Sequence, residues 1–206
     1  MPGATEGILD LLKERELPAT FFVVGKNLAD PAARRLAERA RNEGHRIGNH
    51  TMHHKEPLGE YGNSEEAVKE IVDAEALIGE LADPDRLFRP QGRGRTGPHL
   101  LNDAALRHLI DNRYTMVTWN NVPGDWLEPQ TQWYDNALAT LAGQEWSVLV
   151  LHDHCQVKMM DLLVRFFDHV DKTGIEVRRD FPADCLPIVR GELAVDPAEI
   201  VTAAAA

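Results

Sequence analysis

The residues of this 206-residue chain that could do chemistry fall in a few short clusters. The first is Asn49-His50-Thr51-Met52-His53-His54. His50 and His54 are four apart, so a helical turn after His50 would place both imidazoles on one face, at a spacing that can chelate a single metal ion. Imidazole suits zinc and the neighbouring divalent ions, and His53 would then point elsewhere, toward solvent. The alternative is a polar loop whose histidines cap backbone groups. The second cluster is His152-Asp153-His154, directly after the apolar run Val148-Leu149-Val150-Leu151. A histidine carried by a buried strand to the rim of a sheet, with a carboxylate to orient it, is a general acid or base near neutral pH. Two other readings stay open: a core histidine with its hydrogen bonds satisfied, and a His-x-His metal pair of His152 with His154. Arg89, just before Pro90, can bind a carboxylate bidentately or lie on the surface. Asp125-Trp126 sets a carboxylate beside an aromatic wall on which a sugar ring can stack. Gly92, Gly94 and Gly97 lack the spacing of a phosphate-binding loop after a strong strand.

These residues need elements to position them, and the pattern supplies alternating strands and helices. Ala19–Gly25 is a short apolar run closed by glycine, which predicts a buried strand. Pro31 opens a helix through Asn42, residues 45–50 form a shorter strand, and a helix follows from about Ser64 to Leu81. Leu87–Arg89 is a weak strand, Pro98–Asn112 a helix, Tyr114–Trp119 a strand, and 131–142 contains a helix. Trp146–Leu151 is the clearest strand of all, followed by a helix over Lys158–Lys172 and a short strand at Ile175–Val177. Repeated β–α units of this kind predict a parallel sheet, open or closed into a barrel. In such folds reacting groups gather where strands end, which is where His50, His54, Arg89, Asp125 and His152 fall. Residues 5–15 form an amphipathic helix with Thr5 as its N-cap. That helix precedes the first strand, so either the fold starts with a helix or a first strand is missing.

Bulk composition narrows the partners. With 43% hydrophobic and 27% charged residues the chain has an ordinary globular balance. A formal net charge of -11 opposes nucleic acid and anionic membrane surfaces, and no apolar run reaches the roughly 18 residues of a membrane span. Neutral sugars and small amides remain as ligands. Two cysteines make no disulfide framework. As given, the sequence fits a cytoplasmic compartment, although a late start would hide an export signal.

Taken in order, these segments resemble the polysaccharide deacetylases, the NodB-type carbohydrate esterase family 4 that includes chitin, chitooligosaccharide and peptidoglycan deacetylases. Ala19–Gly25 is similar to that family's second strand. Gly44 through His54 resembles its His-[Ser/Thr]-x-x-His motif, and Phe88-Arg89-Pro90-Gln91-Gly92 its Arg-Pro-x-Gly motif. Trp119 to Trp126 resembles the Asp-Trp motif, and Val148 to Asp153 the final histidine motif. The resemblance implies a distorted (β/α) barrel over residues 1–190, with a tail at 191–206, holding Zn2+ or another divalent transition metal on His50 and His54. It implies that His152 protonates the departing amine with Asp125 tuning it, and that Arg89 orients a base carboxylate. Gln91, Trp126 and Leu151 would contact an N-acetylated carbohydrate, the Gln91 region through a backbone donor to the oxyanion.

Three departures from the family pattern carry their own expectations. The opening Thr-Phe-Asp-Asp-Gly-Pro strand is absent, and with it the base and the third metal ligand. This predicts a gap beside Ala19–Gly25, weak zinc binding and poor turnover, with an upstream extension restoring both. Gln91 stands where tyrosine is common, in a motif one residue shorter than its fuller form. Val122 replaces the first aspartate of Asp-x-x-Asp-Trp. Hydrolysis of a small amide or ureide, and a non-catalytic glycan-binding remnant, are the competing functions.

Overall fold

A computed structural model describes residues 2–156 and 158–203. The strands are β1 (Thr20–Val23), β2 (Arg46–Asn49), β3 (Leu87–Phe88), β4 (Thr115–Met116), β5 (Ile188–Val189) and β6 (Glu192–Leu193). The helices are α1 (Pro2–Glu14), α2 (Pro31–Asn42), α3 (Ser64–Ile78), α4 (Asp103–Asp111), α5 (Trp133–Ala142), α6 (Asp153–Gln156) and α7 (Met160–Thr173). They belong to two compact units, each assembled from two stretches of chain.

The larger unit joins Thr20–Thr118 to the segment from Ala183 onward. Its sheet runs in the order β1-β2-β3-β4-β5-β6. The first four strands are parallel, as alternating β–α units require, and β5 and β6 are antiparallel additions. At the sheet's edge, β1 pairs with β2 among the described residues, with Phe22 opposite Gly48. Ile47, Leu87, Phe88, Met116 and Ile188 are buried on the sheet, with Ala67, Ile71, Ala74 and Ile78 of α3 and Leu106 and Leu109 of α4. Each helix start has a physical signal. Asp30 accepts from Ala32 N ahead of Pro31, Asn63 from Glu65 N, and Asn102 from Ala105 N. The start of α3 is thus capped by Asn63 rather than by Ser64.

The smaller unit joins the segment up to Ala19 to Trp119–Pro182. Leu11, Trp133, Ala137, Cys155, Met159, Leu163, Phe166 and Val170 form its core. Thr5 is not an N-cap. The helix α1 starts at Pro2, and the Thr5 hydroxyl donates to the Asp153 carboxylate.

Three other strand expectations are met only in part or not at all. Trp146–Leu151 contributes a single bridge, Leu149 with Asn121, although Asn121 N donates to Val148 O and Val150 N to Asn121 O. Side chains capture the neighbouring backbone groups. Val148 N donates to Asn120 Oδ1, Asn120 Nδ2 to Trp146 O, and Gln144 Nε2 to Asn120 O. Such local side-chain bonds compete with a ladder. Tyr114–Trp119 is likewise reduced to Thr115–Met116. Ile175–Val177 is not a strand; it follows Gly174, whose left-handed φ of 69° ends α7.

Beyond residue 190 the chain carries structure. Arg190 (φ 49°) and Gly191 (φ 84°) make the tight two-residue turn of the β5–β6 hairpin, and Val201 bridges Leu101. The expected frayed end at Ala203–Ala206 lies almost wholly outside the described residues. No described helix is long and apolar enough to cross a membrane.

Candidate functional site

In the larger unit β2 ends at Asn49 and delivers a tight turn. His50 N donates to Val23 O, Gly25 N to Thr51 O and Lys26 N to Met52 O, so the loop after β1 holds the turn along its length. Gly25 permits this approach, since a Cβ there would stand 2.8 Å from Ala74 Cα and 2.9 Å from Met52 Sδ. The buried Asn49 side chain accepts from Thr51 N and donates to Ile71 O and to Glu75.

The backbone after His50 is not the helical turn expected from the i, i+4 spacing. Thr51 and His54 take left-handed conformations, with φ 65° and 53°, a costly state for a β-branched residue. The Thr51 hydroxyl closes the loop by accepting from His54 N. The turn still brings the His50 and His54 rings together, with centroids 4.5 Å apart and planes inclined by 57°. His50 Nδ1 lies 2.6 Å from the Arg89 carbonyl. A carbonyl only accepts, so Nδ1 carries the proton and the lone pair sits on Nε2, the tautomer suited to coordination through Nε2. His53 points away, as expected, but to a partner: its Nδ1 and its backbone N both bond Glu70.

Arg89 is buried rather than superficial, at 8% exposure. Its guanidinium lies 4.1 Å above the Phe22 ring and reaches the carbonyls of Val117 and Thr118 at 3.4 and 3.3 Å, both long. Burial pushes its pKa down to about 9, against a weaker upward pull from Cys185. Among the described residues its hydrogen-bond acceptors are these carbonyls, without the carboxylate that a bidentate pair requires. Phe22 can lie beneath it because residue 48 is glycine: a Cβ there would meet the Phe22 ring at 2.6 Å. Gln91 is half-buried, and its side-chain oxygen is buried without a hydrogen-bond partner among the described residues.

In the smaller unit Asp125 is fully buried and turned on one histidine. Asp125 Oδ1 accepts from His152 Nδ1 at 2.8 Å, while Oδ2 accepts from His152 N at 2.7 Å and from Gln156 Nε2 at 2.9 Å. Asp125 and His152 therefore form a carboxylate–histidine pair in which Asp125 holds the Nδ1–H and leaves Nε2 outside the pair. Trp126, 40% exposed, sets its ring edge-to-face against His152 at 5.1 Å. Leu151 is half-buried and packs on this unit's apolar core. The rival His152–His154 pair does not converge in the same way. Its rings are 5.9 Å apart, His152 Nδ1 is engaged by Asp125, and His154 Nε2 faces Cys155 Sγ at 3.3 Å.

Two residues that matter to these arrangements were not singled out from the sequence. Gln156 stands four after His152, one helical turn on. Glu70 sits on the buried stripe of α3 between Ala67, Ile71 and Ala74. A carboxylate on an apolar stripe is the signal that could have found it.

A divalent metal at the His50–His54 turn fits the donor chemistry in part. Two imidazoles converge and one is oriented by a backbone carbonyl, as metal-bound histidines commonly are. No group of three or more metal-ligating side chains occurs among the described residues.

Comparison with known proteins agrees with the motif order. A peptidoglycan-N-acetylglucosamine deacetylase of Bacillus cereus is 29% identical over 154 residues, covering 74% of this chain and 67% of that protein. A chitooligosaccharide deacetylase of Sinorhizobium fredii is 30% identical over 155 residues, covering 75% and 67%. The chain thus spans about two thirds of the length of these relatives. The crystal structure of a polysaccharide deacetylase from Bacillus cereus superposes with a TM-score of 0.71 at 23% identity, covering 90% of this chain and 89% of that one. With residues 1–108 also matching the family described as polysaccharide deacetylase, the histidine turn, the buried arginine and the Asp125–His152 pair stand in a chain that belongs to the polysaccharide deacetylase family.

Proposed function

We propose that this chain is a metal-dependent hydrolase of non-peptide C–N bonds that removes acetyl groups from an N-acetylated carbohydrate. The observation that carries the reading is the convergence of His50 and His54 at 4.5 Å, with His50 Nδ1 tied to the Arg89 carbonyl. His50 and His54 would hold the metal, zinc or another divalent transition ion that imidazole suits. When bound, the metal supplies Lewis-acid polarisation of an amide carbonyl.

The chain's own residues do the rest. His152 carries a proton at Nε2 to the departing amine, and the Asp125 carboxylate on Nδ1 stabilises the imidazolium that donates it. Trp126 offers an exposed indole face for a sugar ring. The backbone N–H at Gln91 is the donor assigned to the developing oxyanion. Arg89 supplies a fixed positive charge for a carboxylate, since a guanidinium with a pKa near 9 remains protonated at neutral pH.

The test is acetate release from chitooligosaccharides and from N-acetylglucosamine-containing peptidoglycan, with zinc added or chelated. His50→Ala and His152→Ala are run in parallel. Zinc-dependent release that falls at least a hundredfold in both variants supports the reading. Release unaffected by chelation, or binding of the glycan with no release at saturating zinc, overturns it.

A further inference from the structure

We infer that Glu70 of α3 is a positioning residue for the His50–His54 pair, which it holds in register by clamping the residue between them, His53. The inference rests on reading His50 and His54 as metal ligands. It requires no contact of Glu70 with the metal or with substrate.

Glu70 sits in the middle of α3, 7% exposed, flanked by the fully buried Ala67, Ile71 and Ala74. A carboxylate on such a stripe is expensive unless its oxygens are satisfied, and both are turned on one residue. Glu70 Oε2 accepts from His53 N at 2.8 Å, and Oε1 accepts from His53 Nδ1 at 2.6 Å. The backbone bond is the important one, because it fixes the chain between Thr51 and His54. Those two residues hold left-handed conformations, φ 65° and 53°, that non-glycine residues leave when nothing over-determines them. Asn49 fixes the N-terminal side of the turn through Thr51 N, and Gly25 and Lys26 hold Thr51 and Met52 from β1's side. Past Met52, the Thr51 hydroxyl accepts from His54 N and Glu70 accepts from His53 N. Relaxing the second would loosen the turn geometry that sets His54 beside His50. Partners bonded directly to metal-bound side chains typically change metal affinity about 10- to 100-fold when removed; Glu70 acts one residue further out, through the His53 backbone, which puts its effect at the lower end of that range.

The test compares wild type with Glu70→Leu, Glu70→Gln and His53→Ala, using Co2+ as the probe and its visible absorption to read affinity. Leucine keeps the helix and the packing volume but removes both acceptors. Glutamine keeps an acceptor for His53 N. His53→Ala keeps that backbone bond and deletes the imidazole one. The expected result is about 10-fold weaker Co2+ binding in Glu70→Leu, with binding within about threefold of wild type in the other two.

A metal-free measurement runs beside it: the ring-to-ring nuclear Overhauser effect between His50 and His54, lost in Glu70→Leu and kept in Glu70→Gln. An unchanged effect in Glu70→Leu overturns the inference whatever cobalt does. If wild type binds no cobalt, the metal reading fails and the ring effect alone decides the role of Glu70. If Glu70→Leu does not fold, hydrogen exchange in wild type decides: protection of the His53 amide supports the clamp, and exchange at the free-peptide rate overturns it.

Discussion

Asp125→Asn is the sharpest single change to the proposed proton donor. The carboxylate has two inequivalent oxygens. Oδ2 accepts from two donors, His152 N and Gln156 Nε2, while Oδ1 accepts from His152 Nδ1 alone. An asparagine must keep its oxygen facing the two donors, since an NH2 group there would confront two N–H groups. Its NH2 therefore falls opposite His152 Nδ1, which has to become an acceptor, and the proton of the neutral ring moves to Nε2. The imidazolium form then faces an amide N–H instead of a carboxylate. A hydrogen bond to a charged group contributes about 1.5–3 kcal/mol, and losing a general acid costs on the order of 10²–10⁴ in rate, or about 3–5 kcal/mol of barrier. Nitrogen-15 spectra of the ring read the tautomer directly, without requiring turnover, and acetate release reads the rate. The expected outcome is a proton on Nδ1 in wild type and on Nε2 in the variant, with the rate down at least a hundredfold. A variant ring still protonated at Nδ1, or a rate within about threefold of wild type, refutes the reasoning.

Arg89→Met removes a buried charge whose described acceptors are two long carbonyl contacts, so melting at pH 7 should show stability unchanged or raised; a loss beyond about 3 kcal/mol is what breaking a true buried ion pair costs and would contradict this. With the Arg89 pKa pushed by burial to about 9 in the folded chain, well below its ordinary value, the unfolded chain binds more protons above pH 9, so stability relative to the methionine variant should rise with pH there; a flat difference curve from pH 8 to 10 would count against it. Burial pushes both thiols, Cys155 and Cys185, up to about 11, so a disulfide reagent at pH 7.5 should label the native protein far more slowly than the urea-unfolded chain; equally rapid labelling in both would contradict the burial.

Much of this was legible because apolar periodicity and strand-end chemistry are local properties. The pattern places β1, β2, α2, α3 and α7 within a few residues of where they stand, and it marks His50 just past β2 and Arg89 just past β3; Asp125 and His152, also expected at strand ends, follow only the isolated Asn121–Leu149 bridge. What it misses depends on partners far along the chain or on side chains bonding backbone. The strand expected at Trp146–Leu151 is apolar enough, but Asn120 and Gln144 take the groups a ladder would need. The helix expected after His50 gives way to left-handed residues held by Asn49, Thr51 and Glu70. The β5–β6 hairpin turns at Arg190-Gly191, between Ile188-Val189 and the mixed pair Glu192-Leu193. The buried state of Arg89 was not legible, since it depends on Phe22 and on the missing Cβ at Gly48.

The way each unit is stitched from separated stretches has a consequence for synthesis. While the chain emerges from a ribosome, β4 is complete after Met116, but its second neighbour β5 begins at Ile188. Leu11 of α1 is translated about 150 residues before its core companions Leu163, Phe166 and Val170. Neither unit can close until the second of its two stretches has been translated. The nascent protein therefore carries two half-built apolar surfaces at once, the state in which a chaperone that shields exposed hydrophobic segments has most to do.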